Sequence, residues 1–255
     1  MSAGARTLIF LHIPRTGGTS LRALLLRSIG SRPSIKLMNQ DHTPLLAMSG
    51  EARAGLGMVE GHMLYGMHEH IPGACTYITL LREPAARLRS WHRYVLQRER
   101  HRLHGVIAGR GLSLAECIER RVTPELDNDM TRTLASVGRA GVPIGGVTRT
   151  MFDAACERLA SIEFVGTTER MDEFHAMLCE RMGWAVAPMR RLNQTAAGND
   201  GAGDEDPSLT RLLREINGFD LALWQRAGEI LARRLGVEAG DGAARLPIRL
   251  SDGAC

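Results

Sequence analysis

The sequence predicts an α/β fold with a largely parallel central sheet, on three observations. Short β-branched and aromatic runs alternate with amphipathic stretches through the first half of the 255-residue chain. The first run, Leu8 to Ile13, passes through the turn "PRTGGTS" straight into an amphipathic stretch, the order strand, Gly-rich turn, helix. The clearest later strand, "CTYITLLR" from Cys75 to Arg82, is followed by Pro84 at a natural first helical position.

Each element follows in order. Leu8, Ile9, Phe10, Leu11 and Ile13 make a buried strand, and a helix starts near Ser20. Gly30-Ser31-Arg32-Pro33 breaks the chain, and Ser34 to Met38 form a short second strand. Thr43-Pro44 opens a short helix that Gly50 ends. Gly57 to Met63, "GMVEGHM", reads as a strand that leads into the His-rich loop "LYGMHEHIPG". A long helix runs from Pro84 to about His104, and "SLAECIERR" and "ELDNDMTRTLASV" carry further helical patterns. "FDAACERLASIEFVG" reads as helix then strand, and "ERMDEFHAMLCERMGW" as a helix ending at Gly183. Ala196 to Pro207 has a loop's composition, and two helices follow, roughly Pro207 to Ile216 and Phe219 to Leu235. The expected organisation is one domain over residues 1–235, with a flexible acidic Gly-rich loop at about 196–207, and a tail over 236–255.

Composition narrows the function classes. Hydrophobic residues are 44% and charged residues 24%, so a packed core is expected rather than disorder. No apolar run is long enough for a signal peptide or a bilayer span. The five cysteines are scattered with no C-x-x-C pair, which argues against a zinc framework and suits a reducing cytosol. Net charge is only +4 and no nucleic-acid-binding motif is present, so nucleic acid is not an expected partner. Lys36 is the only lysine, which leaves arginine to supply the cations.

The turn itself offers several anion-binding devices. Gly17 and Gly18 let consecutive backbone N–H groups converge, Thr19 and Ser20 bring hydroxyls to a helix start, and Arg15 brings a permanent cation. The spacing G-x-x-x-x-G-K-[ST] is absent. The bland alternative is an ordinary strand–helix turn. Further on, "LLREPAARLRSWHRYVL" places Arg82 at the end of the best strand, where ligands gather in open α/β sheets. Ser90 lies about two helical turns beyond it, and the two suit a second phosphate. The competing reading of Arg82 is a cap or an ion pair with an acidic neighbour.

These segments carry a resemblance. "FLHIPRTGGTSL" resembles the 5′-phosphosulfate-binding loop of the family-2 sulfotransferases, the group that includes bacterial enzymes and the heparan and dermatan sulfate O-sulfotransferases. "YITLLREPAARLRSWHRY" is similar to that family's 3′-phosphate segment, R-[DE]-P-x-x-R-x-x-S. Weaker echoes at "DNDMTRTLAS", "FVGTTERMDEF" and "INGFDLALWQRA" extend the likeness over about residues 7–235. The resemblance implies a P-loop-like three-layer fold with additional C-terminal helices. It also implies a donor, 3′-phosphoadenosine 5′-phosphosulfate (PAPS), and no metal.

By that resemblance Pro14, Arg15, Thr16, Gly17, Gly18, Thr19 and Ser20 cradle the 5′-phosphosulfate, and Arg82 and Ser90 hold the 3′-phosphate. "RRLNQT", with Asn193 and Thr195, closes over the donor's 3′-phosphate. The family has lysine where this chain has Arg15; arginine keeps the charge but delivers no proton, so Arg15 is expected to be an electrostatic clamp.

In-line sulfuryl transfer also needs a base for the acceptor hydroxyl. In "VEGHM" the period-2 rule puts Glu60 and His62 on one face. His62 is favoured as base because its ordinary pKa of about 6.5 lies near working pH, with Glu60 as orienter or rival. His68 and His70 are expected to line the acceptor cleft or lie in solvent rather than on a metal, and Asn128 and Arg132, four apart on a predicted helix, to lie near donor or acceptor or to belong to a structural network. The expected acceptor is a small-molecule or glycan hydroxyl, on a carbohydrate or glycolipid. The basic stretch Arg87 to His104 suits an acidic one, although a solvated helix face is the default reading. Two other classes stay open: an ATP-dependent small-molecule kinase, and a nucleotide-binding module without turnover.

Overall fold

The computed structural model describes residues 6–185 and 206–237. Five parallel strands form the sheet: β1 (Thr7–Leu11), β2 (Ser34–Leu37), β3 (Met58–Gly61), β4 (Cys75–Leu81) and β5 (Phe164–Thr167), in the order β2-β3-β1-β4-β5. The helices are α1 (Gly18–Ser28), α2 (Thr43–Leu46), α3 (Gly50–Ala54), α4 (Pro84–Gln97), α5 (His104–Ile107) and α6 (Leu114–Glu119). They continue with α7 (Asp129–Leu134), α8 (Arg149–Ser161), α9 (Met171–Met182), α10 (Pro207–Ile216) and α11 (Gly218–Leu235).

Strand alternation sorts the side chains into two layers. Ile9, Leu11, Val59, Tyr77, Leu81 and Val165 face α7, α8 and much of α11, while Leu8, Phe10, Met58, Ile78, Leu80 and Phe164 face α1 and α9. Parallel strands covered on both sides read as near-continuous apolar runs, and these do. Burying each such side chain contributes about 1.5–3 kcal/mol, which fixes the sheet between its helices. The fold is therefore a three-layer α/β arrangement. A separate cluster joins α4 to α5, α6 and α10 through Leu88, Trp91, Val95, Leu114 and Leu213. Among the described residues no helix is long and apolar enough to cross a membrane.

Topology places the site. From β1 the chain runs through α1 towards the β2 edge, and from β4 it runs through α4 towards the β5 edge, although β1 and β4 are neighbours. Connections that leave adjacent parallel strands in opposite directions open a crevice at their carboxyl ends. Arg15 follows β1 and Arg82 follows β4, so both emerge there.

Several local expectations need correction. Gly50 does not end a helix: it opens α3, behind an Ser49 cap whose hydroxyl accepts from the Ala52 N–H. The helix from Pro84 stops at Gln97, not near His104, because Arg98 is extended (φ −118°, ψ 91°). The turns beyond it bring Leu103 and Ile107 into the cluster around Trp91, a gain that a continued, highly basic helix would forgo. Asn128 is not on the helix with Arg132; it sits in left-handed conformation (φ 47°) just before α7. The loop expected over 196–207 lies outside the described residues except for its last two, and the tail over 236–255 except for its first two.

Candidate anion-binding and catalytic site

The Gly-rich turn is held from three sides. Inside it, the Thr16 hydroxyl donates to the Ile13 carbonyl oxygen, 2.9 Å away, and Thr16 is fully buried. From β5's end, the Thr168 hydroxyl donates to the carbonyls of Thr16 (2.7 Å) and Leu81 (3.2 Å), tying the turn to β4. Gly17 has φ 82°, the left-handed region where a side chain is strained, and a Cβ at Gly18 would overlap the His12 ring. Both glycines are required by shape. Pro14 is partly buried, Thr19 is exposed and Ser20 partly buried, so the helix start faces outward.

The two segments read as anion-binding, 75 residues apart in sequence, meet. Arg15 donates from Nε (3.1 Å) and Nη2 (2.9 Å) to Ser90 Oγ on α4, and its guanidinium lies 4.6 Å from the Tyr94 ring centroid. Arg82 donates from Nη1 to the Arg15 carbonyl oxygen at 3.3 Å. Burial pushes the Arg15 pKa down, and Arg82, Arg93 and Arg98 add like-charge pressure that Tyr94 partly relieves. A partly buried guanidinium among guanidiniums is in an environment that an anion would improve. The acidic neighbour Glu83 is engaged elsewhere: its carboxylate accepts from the Ala86 N–H (2.7 Å) and from Arg214 Nε (2.9 Å).

Arg15 thus stands with Ser90, within the segment read for the 3′-phosphate. The sequence placed it with the 5′-phosphosulfate loop, and the fold sets its guanidinium against α4 as well. The cause is local: Arg15 has φ 70°, and Tyr94 and Ser90, a helical turn apart on α4, offer its guanidinium a ring face and a hydroxyl.

Glu60 and His62 do not form a dyad. Glu60 is fully buried and joined to Arg22 of α1, whose Nε lies 2.6 Å from both carboxylate oxygens. The strand ends at Gly61, whose φ of 129° turns the chain, and a Cβ there would strike the Leu37 carbonyl. His62 instead meets His12, ring centroids 5.1 Å apart and edge to face, while His12 stacks on Phe10 at 5.2 Å.

Neither imidazole has a hydrogen-bond partner among the described residues. Burial lowers the His62 pKa to about 4, helped by Arg139 and opposed by Asp129 and Glu125. Burial also lowers His12 to about 3, helped by His62, Lys36, Arg15 and Arg22. Both rings are neutral at pH 7. Behind His62 lies a buried ionic network. Asp129 accepts from Arg139 Nε and Nη2, both at 2.8 Å, and Glu125 accepts from Trp91 Nε1 and Arg102 Nη2, both at 2.7 Å. Burial alone would raise the Asp129 pKa, but Arg139 and Arg87 hold it below the ordinary value.

The remaining sequence-predicted residues fall elsewhere. Arg132 is buried: it pairs with Asp127 and donates to the carbonyls of Asp127, Val142 and Pro143 at 2.7–2.8 Å. Asn128 bridges Asp127, the Ile216 carbonyl and the Asp220 N–H. Asn128 ties the start of α7 to α10 and α11, Arg132 ties α7 to Asp127 and the 142–143 turn, and both are buried in a structural network. His68 is exposed, with Nδ1 3.0 Å from the Tyr77 hydroxyl. His70 lines a cavity of about 290 Å³ with His42, Tyr65, Glu69, Ser136 and Arg158. A second cavity, of about 360 Å³, lies between α6, Leu126, Ile144 and Ile216. Neither cavity is lined by the turn, Arg82 or Ser90. Asn193 and Thr195 lie outside the described residues. Among the described residues no group of three or more His, Cys, Asp or Glu is placed to hold a metal ion.

Sequence reasoning missed His12, although its place at the end of β1 is the same signal that singled out Arg82. It also missed Arg139, Asp129 and Glu125. No protein-family model matches the chain, and no curated protein matches it. The likeness to sulfotransferases therefore rests on the quoted segments.

Proposed function

We propose that this chain is a sulfotransferase that moves a sulfuryl group from PAPS to an acceptor hydroxyl on a carbohydrate or glycolipid, in a reducing cytosol. The observation that carries the reading is the meeting of Arg15, Arg82 and Ser90 at the carboxyl ends of β1 and β4. Two motif segments read separately as anion-binding form one cationic crevice at the topological switch point. The residues present fit a ligand with two separate anionic groups. The Gly17–Gly18 turn and the start of α1 suit one, and Arg82 with Ser90 suits the other, with Arg15 between them.

The chemistry assigned to this chain's residues follows. His62, neutral at working pH, accepts the acceptor hydroxyl's proton as the new O–S bond forms and the S–O bond to the 5′-phosphate breaks. The turn's N–H groups and Arg15 hold the charge gained by the departing phosphate oxygen. Glu60 holds Arg22 and the start of α1 in place instead of acting as base.

The test is nucleotide discrimination. Arg82→Ala should weaken adenosine 3′,5′-bisphosphate by roughly 10- to 100-fold, the size of one charge-assisted contact, and ADP by much less. Equal losses for both nucleotides would remove Arg82 from the 3′-phosphate and return the case to the kinase reading.

A further inference from the structure

The cavity of about 290 Å³ lies between the chain that follows β3, the start of α2, and α8. Its wall is built into the fold. Ser136 (φ 55°) and Gly66 (φ 118°) both stand in the left-handed region, which a residue other than glycine keeps only where its surroundings hold it. The Ser136 hydroxyl donates to the Tyr65 carbonyl oxygen, and the Tyr65 N–H donates to the Thr133 carbonyl oxygen at 3.1 Å. The Tyr77 hydroxyl accepts from the N–H groups of Gly66 and His68, both at 3.2 Å. On this wall two opposite charges stand apart. Arg158 donates from Nη1 to the Leu134 carbonyl oxygen (2.8 Å) and lies 5.3 Å from the Tyr65 ring centroid. Glu69 lines the same cavity, yet among the described residues neither charge has an ion-pair partner. His42 adds an orphan. Its Nε2 is buried with no hydrogen-bond partner among the described residues, a cost that a folded chain normally avoids.

A lone anion would satisfy Arg158 but meet Glu69, and a lone cation would satisfy Glu69 but meet Arg158. A ligand that carries both charges suits both. The volume sits at the lower edge of the range for ligand pockets, roughly 300–1,000 Å³, so the occupant is a small molecule. We propose that this cavity binds a zwitterion of the α-amino-acid type, with its carboxylate on Arg158, its ammonium on Glu69, and an apolar side chain against Leu64 and Met67. His42 Nε2 finds in that ammonium the donor it lacks in the free chain. The inference does not rest on sulfuryl transfer, because none of these residues belongs to the crevice of Arg15, Arg82 and Ser90.

L-leucine is the probe, set against L-leucinamide, which lacks the carboxylate, and N-acetyl-L-leucine, which lacks the ammonium. The titrations are run at about pH 6.5, where an α-amino group stays charged. Binding is read by NMR as saturable shifts of the ring Cε1–H resonances of His42 and His70, assigned by their absence in His42→Gln and His70→Gln. Leucine should bind roughly 10-fold or more tightly than either derivative, because each comparison removes one charge-assisted contact. Glu69→Gln, at an exposed position, should erase the advantage of leucine over N-acetyl-L-leucine. Arg158→Gln should erase its advantage over leucinamide. If Arg158→Gln does not fold, Glu69→Gln and the three ligands still decide the question. No saturable shift with leucine, equal affinity for the three ligands, or an advantage over N-acetyl-L-leucine that survives Glu69→Gln would each overturn the inference. Failure of adenosine 3′,5′-bisphosphate to bind would refute the donor reading and leave this inference standing, so the two fail separately.

Discussion

Replacing Arg15 by methionine separates a ligand-binding role from a structural one, because the two have opposite signs. In the ligand-free chain the guanidinium makes two bonds to Ser90 Oγ and lies over Tyr94, but it is desolvated and crowded by Arg82, Arg93 and Arg98. The cation–π contact is worth about 0.5–2 kcal/mol, and a hydrogen bond from a charged donor about 1.5–3 kcal/mol. Relief of burial and like-charge repulsion offsets most of this, and the methionine stem keeps the packing on Tyr94. The net change in stability should stay within about 1 kcal/mol, or about 2–4 °C in melting temperature for a domain of this size. Affinity for adenosine 3′,5′-bisphosphate should instead fall by roughly 10- to 150-fold, one lost charge-assisted bond. Calorimetric titration and thermal melts read the two effects on the same preparation. A variant that melts far lower yet binds the bisphosphate normally would show that Arg15 is a structural residue and refute the reasoning.

Two further outcomes are expected. His12 and His62 have folded pKa values below the unfolded value of about 6.5, so the unfolded chain takes up protons first as pH falls. Their stabilising contribution is complete above pH 6.5 and is lost towards pH 4; urea melts should show His62 alone removing roughly 2–3 kcal/mol by pH 4.5, and His62→Gln should abolish that part. Glu60→Gln breaks a pair whose Arg22 is a third exposed and should cost about 2 kcal/mol of stability with transfer nearly intact, whereas His62→Ala should lower transfer by roughly 10²–10⁴-fold. The reverse pattern would make Glu60 the base.

The sheet and its two turns were legible in the sequence because they depend on local signals. Apolar runs, Gly17-Gly18 and Pro84 each act within a few residues of where they stand. The meeting of Arg15 with Ser90 was foreshadowed only by topology, since Arg82 and the turn both end strands. What the sequence does not carry is which partners these side chains find in the folded chain. Glu60 looked available until α1 brought Arg22 across 38 residues to it, and the need for glycine at Gly61 comes from the Leu37 carbonyl of the neighbouring strand. Asn128 and Arg132 carried a spacing that fits a helix face, but Asn217 and Asp220 draw Asn128 into the joint between α7 and α11, and Asp127 with the Val142 and Pro143 carbonyls holds Arg132. Arg139 has no local pattern at all, and its role beside Asp129 exists only in the folded chain.

The most direct test of the central claim is thermal stabilisation by adenosine 3′,5′-bisphosphate, set against ADP and ATP with and without magnesium. A ligand held near a hundredfold above its dissociation constant adds about 2.7 kcal/mol, which moves the melting temperature of a domain of this size by several degrees. The account predicts that shift with the bisphosphate, independent of magnesium, and little or none with ADP. A shift with ATP and magnesium alone, or with none of the nucleotides, would contradict it.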